Sequence, residues 1–524
     1  MDRILVTEKI AAEGLRTLQA SAAIDVRLDL DRAALIALLP EYDALVVRSA
    51  TKVTAPVIEA GARLKVIGRA GTGVDNIDVD AATRQGIVVV NAPAANSVAV
   101  AELTIGFLIA LARHIPLAQA SLRAGKWERA KFTGWEVRGK TLGLWGFGRI
   151  GAEVARRARA LELHLLAYDP VMSSERAAQL GVEAVSLDEL LARCDVVSLH
   201  MPLLDATRGI VNAARLAQMK RGSYLINAAR GELVDEVALL AALNAGHLAG
   251  AALDVFASEP PRADGIVAHP GVVSTPHLGA STEEAQMLAG VDVAEGVLAA
   301  LRGDTPRYAV NAPFVPPEEW AVLAPYISLG RHMGAISRQL IQDPVRGYEL
   351  EYWGELAHVG TQPLRLAVLQ GLLQNTSDTR VTPVNAPLIA RERGIRIGER
   401  TRPEEDSYAG LLVLRAETAD GERVFSGTVL RGEPHIVQAD GYWVDFVPGS
   451  PLLVTYHRDR PGLIGHVGTL LGGADVNISG MYVGRLAPRE QAMMVLTLDE
   501  PAPTDVLALL NAEPDIERAF SVTV

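Results

Sequence analysis

Gly146, Gly148 and Gly151 narrow the possible folds of this chain more than any other residues. They stand at GxGxxG spacing in LGLWGFGRIG, after the apolar run Leu142 to Trp145 and before a helix-period segment, Ala152 to Leu161. That order predicts a strand, a tight turn and a helix. A second apolar run, Leu163 to Tyr168, ends at Asp169, roughly twenty residues on, where such a fingerprint requires an acid. Glycines let the backbone approach a diphosphate. The helix N-terminus, with Arg149 and Ile150 in its first turn, stabilises the charge, and the acid accepts ribose hydroxyls. The stretch is expected to bind a dinucleotide. Asp169 would repel a 2′-phosphate and no arginine follows directly in DPVMSSE, so NAD is expected rather than NADP.

A chain of 524 residues with 49% apolar side chains can hold several packed domains. Cys194 is the single cysteine, which excludes an internal disulfide framework and fits a reducing compartment. The opening MDRILVTEKI lacks the apolar core of a signal peptide, and no run reaches membrane-spanning length. A soluble cytoplasmic protein without a membrane partner is therefore expected. The net charge of −12 argues against nucleic acid as principal partner. No metal site is expected.

The first hundred or so residues alternate strand-type runs (RILVT, ALVVRSAT, LKVIGRAG, IVVVNAP) with helical ones, a parallel α/β pattern that precedes the glycine fingerprint. Either two α/β domains follow one another or one is inserted into the other. From Ser97 a long Ala-rich stretch is predicted helical, with Pro116 as an internal break, and is apolar enough to need burial on several sides, in a core or at a subunit interface. Further strands are predicted at DVVSLH, SYLIN, GAALDV and GVVS; their apolar content suits a central parallel sheet, and ligands bind beyond the C-terminal ends of such strands. Arg230, Glu259 and His277 each follow one of them. Hydride transfer from an alcohol to NAD needs a base for the hydroxyl proton and a cation for the acid. His277 and Arg230 suit those roles, and Glu259 can hydrogen-bond the imidazole and favour its protonated form.

The motifs GRAGTGVDNID, NAPAANSVAVAELT, WGFGRIG, HMPLLDATRGIVN, INAARGELVDE, LDVFASEP and TPHLGASTEEAQ closely resemble those of the D-isomer-specific 2-hydroxyacid dehydrogenases over roughly the first 310 residues. The greatest similarity is to the long-chain branch that oxidises 3-phospho-D-glycerate with NAD, the opening step of phosphorylated L-serine synthesis. The resemblance implies a Rossmann-type NAD-binding domain (98–279) inserted in a flavodoxin-like substrate domain (1–97 and 280–312). It implies Arg230 as carboxylate binder, His277 as acid/base and Glu259 as its partner. Thr72, His200, Thr207, Ala228, Asp254, Gly279 and Ala280 fall at cofactor-contacting positions; Ala228 departs from the Cys often found there. A phosphorylated substrate calls for further cations: Arg48 and Arg69, while Arg129 and Lys131 either reach a neighbouring subunit's site, as in similar proteins, or lie on a solvated charged loop.

Beyond Asn311 the Pro-rich APFVPPEEW reads as a domain join, followed by an α+β intervening domain (313–449) in which Arg391, Arg393, Arg396 and Arg400 read as a solvated helix face in preference to an anion site. The last segment, 450–524, has a ferredoxin-like βαββαβ order and resembles an ACT domain. That resemblance implies L-serine as effector, bracketed by His457, Asp459 and Asn477 between paired modules, in a dimer or tetramer; the alternative is a module that only oligomerises. Two other readings of the whole stay open: a glyoxylate or hydroxypyruvate reductase of the same family, and a non-catalytic NAD-sensing regulator.

Overall fold

The computed structural model describes residues 1–524 except 305, 314, 316, 375–379, 405, 406 and 524, and the side chains of 174, 317 and 318. Part of the Pro-rich join thus lies outside the described residues.

Two parallel sheets form the first 310 residues. The first runs in spatial order Ala23–Val26, Arg3–Val6, Ala44–Val47, Val66–Arg69, Val88–Val90, the 2-1-3-4-5 order of flavodoxin-like folds. The edge strand Ala23–Val26 was not legible in the sequence, because it is largely exposed and shows no apolar run. The second sheet is ordered Val272–Ser274, Leu248–Leu253, Ser223–Asn227, Val196–Leu199, Thr141–Trp145, His164–Tyr168, Glu183–Ala184, a doubly wound arrangement with the glycine-bearing strand at the point where the order reverses. Its central strands are buried on both faces, as their apolar runs require.

After the second sheet the chain returns to the first. Helix Glu283–Arg302 presents Ala285, Ala289, Gly290, Val293 and Val297 inward. Small residues permit backbone-to-backbone approach: a methyl on Gly14 would lie 2.5 Å from the Gly290 carbonyl oxygen, and one on Gly68 would lie 2.7 Å from Val293 and Val297. This helix closes the first sheet's core. The helix from Ser97 breaks at His114, whose φ of 51° is left-handed, and not at Pro116 as expected. Pro116 sits instead in the first turn of the next helix, Ile115–Arg123, where its missing N–H costs nothing. The two helices meet at 63°, and among the described residues no single helix is long and apolar enough to cross a membrane.

The third sheet is six-stranded and mixed, packed under helices Pro317–Leu340 and Gln362–Leu373. The four arginines read as one helix face are in fact spread: Arg391 on helix Ala386–Glu392, Arg393 and Arg396 after it, and Arg400 on strand Ile397–Arg402, paired to Glu349 at 2.7 Å. The fourth sheet is antiparallel, in the order Ile478–Arg485, Gln491–Leu498, Leu452–Arg458, Ile516–Val522, with helices Leu463–Gly473 and Thr504–Ala512, as the βαββαβ pattern predicted. Its residues alternate. Leu453 faces its own helices, while Leu452, Val454, Met493 and Val495 share a core with Tyr326, Met333 and Phe446 of the preceding module.

Candidate active site

The glycine turn shows why each glycine is needed. Gly146 has φ 98°, and a side chain there would strike the His200 backbone at 2.6 Å. A methyl on Gly151 would lie 2.6 Å from the Gly146 carbonyl oxygen, so this glycine lets the helix Arg149–Ala160 pack on its strand. At Gly148 a methyl would meet nothing within 4 Å; this open approach ahead of the helix N-terminus fits a diphosphate. The Asp169 carboxylate accepts from the Phe147 N–H at 2.8 Å and the Val171 N–H at 3.0 Å, which fixes the acid at the end of its strand beside the turn. Arg149 and Ile150 open the helix there. The residues present therefore fit an NAD molecule.

His200 lies behind this turn, its Nε2 2.9 Å from Ser198 Oγ, and burial pushes its imidazole down to about 4. It is neutral at physiological pH. Thr207 Oγ1 ties its loop together by donating to Pro202 O and accepting from the Leu204 N–H, both at 2.8 Å. Ala228 is buried at the end of strand Ser223–Asn227.

His277 sits in a left-handed conformation, φ 57°, which costs a non-glycine residue about 1–2 kcal/mol. Asp254 offsets that strain. Fully buried, its carboxylate accepts from Thr275 Oγ1 (2.6 Å), Leu278 N (2.6 Å) and Gly279 N (2.8 Å), while its carbonyl accepts from His277 N at 2.8 Å. The loop is clamped on both sides of the imidazole. Glu259 approaches His277 Nδ1 with both oxygens, at 2.9 and 3.1 Å, leaving Nε2 to face a reacting hydroxyl.

Arg230 reaches across from the second sheet to the first. Its Nε lies 3.2 Å from Asp75 Oδ2 and its Nη1 donates to Ala229 O at 2.7 Å. Arg69 stands close by; burial, and then the Arg230 charge, hold its guanidinium below the ordinary value. Its Nε donates to Asn76 Oδ1 at 2.8 Å. Arg48 belongs to the same group of charges and lines one cleft with Gly71, Thr72, Asn96, Ala280 and Gln286. Its loop is held by Glu8, which accepts from the N–H groups of Arg48, Ala50 and Thr51 at 2.9–3.1 Å. Burial alone would raise the Glu8 carboxyl, but these donors hold it below its usual range. Thr72 Oγ1 donates to Asn96 Oδ1 at 2.8 Å. Arg48, Arg69 and Arg230 thus form one group of interacting charges, and among the described residues the Arg48 side chain has a single hydrogen bond, to Lys9 O at 3.2 Å.

Arg129 and Lys131 are not brought into this group. They lie on the exposed turn Arg129–Phe132, where Lys131 pairs with Glu128. The sequence reading also passed over Asp75, Asn76 and Glu8, although Asp75 and Asn76 lie inside the motif GRAGTGVDNID.

The three proposed effector residues do not converge either. His457 is buried facing the helices of its module, 3.1 Å from Thr455 Oγ1, and burial lowers its pKa. Asp459 accepts from Arg489 N (3.0 Å) and Arg485 (3.3 Å) at one end of the sheet. Asn477 donates to Asp499 at 2.7 Å at the other end, because Ile478 pairs with Leu498 while Arg485 pairs with Ala492. Within one chain the pair Asp459 and Asn477 cannot hold one small ligand.

Comparison with known proteins agrees along the whole chain. Residues 105–279 match the family described as D-isomer specific 2-hydroxyacid dehydrogenase, NAD binding domain; 322–440 match the D-3-phosphoglycerate dehydrogenase intervening domain; 452–515 match the ACT domain. A D-3-phosphoglycerate dehydrogenase of Synechocystis sp. is 44% identical over 100% of this chain and 95% of its own. One from Methanocaldococcus jannaschii is 43% identical over 99% of each. Among solved structures, the TT0316 protein of Thermus thermophilus superposes with a TM-score of 0.55 at 36% identity, over 59% of this chain and 99% of its own. The chain belongs to the D-3-phosphoglycerate dehydrogenases of the D-isomer-specific 2-hydroxyacid dehydrogenase family.

Proposed function

We infer that the chain oxidises 3-phospho-D-glycerate to 3-phosphooxypyruvate with NAD, the first step of phosphorylated L-serine synthesis. The observations that carry this reading are the pairing of His277 with Glu259 and the grouping of Arg48, Arg69 and Arg230 as three interacting charges beyond strand ends of the two parallel sheets. Arg230 binds the substrate carboxylate, and Arg48 with Arg69 holds the phosphate, whose oxygens suit guanidinium forks. His277 Nε2 takes the C2 hydroxyl proton, and the Glu259 carboxylate at Nδ1 stabilises the resulting imidazolium. NAD, when bound, accepts the hydride from C2. The Asp254 clamp keeps the imidazole in place through the step. Mixing the chain with NAD and 3-phospho-D-glycerate is expected to generate NADH; no NADH at millimolar substrate would overturn the reading.

The same reading divides the chain into a substrate domain (1–97, 280–312), an NAD domain, an intervening domain and an ACT domain. The return of helix Glu283–Arg302 to the first sheet supports this. Two features support self-association. Val98, Ile115, Leu117, Leu122 and Trp127 remain exposed along and after the bent helix pair, an apolar surface suited to a dimer. A second contact through ACT modules would make a tetramer and bring Asp459 of one copy toward Asn477 of another, with L-serine between them.

A further inference from the structure

We propose that Asp75 is the positioning residue for Arg230 and the strut that spans the cleft between the two parallel sheets. The inference rests on the oxidation of 3-phospho-D-glycerate inferred above. Asp75 lies in the loop after strand Val66–Arg69 of the first sheet, and Arg230 lies just beyond strand Ser223–Asn227 of the second. Their ion pair, Nε to Oδ2 at 3.2 Å, has no counterpart: no other ion pair among the described residues joins those two sheets.

The atoms involved define the role. An arginine grips a carboxylate best through a pair of parallel N–H groups. Asp75 takes the Nε edge and Ala229 O takes one Nη1 hydrogen, so rotation about the long side chain is stopped at two points. The other terminal N–H groups are left for the substrate. Gly73 completes the clamp, since a methyl group there would overlap both the guanidinium and the Asp75 carboxylate. Its φ is not left-handed, so the requirement for glycine at this position is one of space. Asp75 also answers an electrostatic problem. Arg230 and Arg69 repel each other, and the Asp75 carboxylate beside them offsets that repulsion, allowing two cations to share a cleft before any anion arrives.

Positioning and simple charge balance predict opposite outcomes. If Asp75 acted only as a nearby negative charge, removing it would strengthen the cleft's attraction for an anionic substrate and lower KM. If it orients Arg230, Asp75→Ala raises KM for 3-phospho-D-glycerate and lowers kcat/KM about 10-fold or more, while Asp75→Asn, which keeps an acceptor for Nε, falls between Ala and wild type. Gly73→Ala gives the same pattern by a separate route. NADH affinity measured by fluorescence stays within about two-fold in all three, which shows the fold intact. Wild-type turnover of 3-phospho-D-glycerate is the control: if it is absent, the functional reading fails. If wild type turns over and Asp75→Ala has an equal or higher kcat/KM, this inference is overturned.

Discussion

The catalytic cleft and the ACT module treat their charged residues in opposite ways. In the catalytic region, Arg48, Arg69 and Arg230 come together from distant segments and His277 meets Glu259, and among the described residues no carboxylate accepts a hydrogen bond from the Arg48 or Arg69 side chain. In the ACT module, Asp459 is already satisfied by Arg485 and Arg489, Asn477 by Asp499, and the sheet holds the two apart. A parallel sheet brings all its strand ends to one edge, so residues far apart in sequence meet there. An antiparallel sheet of four strands has two ends, and a ligand that needs both must be shared between copies. On the proposed reading the chemistry belongs to one chain and its restraint to a pair.

Replacing His277 is the strongest way to break this contrast. His277→Ala is expected to reduce kcat by about 10²-fold or more, the usual worth of a positioned acid/base, with NADH binding retained. Near-normal turnover would remove the imidazole from the mechanism. The cleft's surplus cations come next. Arg48→Ala should reduce kcat/KM for 3-phospho-D-glycerate by about 10- to 100-fold, the loss of a hydrogen bond to a charged group worth about 1.5–3 kcal/mol, and leave that for D-glycerate nearly unchanged. Equal losses on both substrates would reassign Arg48 away from the phosphate.

The ACT side of the contrast is sharpened by mixing subunits. Asp459→Ala and Asn477→Ala should each raise the L-serine concentration needed for half inhibition about 10-fold or more. Refolded or exchanged together they regain a serine-sensitive fraction, because a mixed pair rebuilds one intact site. A mixture as insensitive as either parent would place both residues outside a shared site.

The smallest effect concerns stability. Because burial lowers the His200 pKa from 6.5 to about 4, the folded chain binds that proton less readily than the unfolded one. This contribution is absent above pH 6.5 and becomes destabilising as pH falls toward 4, to a limit of about 3 kcal/mol. His200→Asn should flatten that part of the pH dependence in thermal melts compared with wild type; parallel curves would argue against a buried neutral imidazole.

Much of this was legible in the sequence because it is local. The glycine spacing and the apolar strands act within a few residues, the acid at 169 ends the strand that follows the glycine-bearing turn and helix, and the structure puts Arg230, Glu259 and His277 at strand ends of one sheet. What was not legible depends on contacts between distant segments. The break at His114 comes from a left-handed residue that composition does not reveal. The shared core that joins Val454 and Val495 to Tyr326 and Phe446 makes residue 450 a boundary in sequence but not in packing. Asp75 lies within GRAGTGVDNID, yet its partner Arg230 comes from the other sheet, a contact that no local pattern reveals.

The most direct test compares kcat/KM for 3-phospho-D-glycerate with that for D-glycerate, using the wild-type chain and NAD. Two arginines committed to a phosphate predict a preference of about 10² to 10⁴ for the phosphorylated acid, from about 1.5–3 kcal/mol per charged contact. A ratio near one would contradict the account, since the cations of the cleft would then have no phosphate to bind.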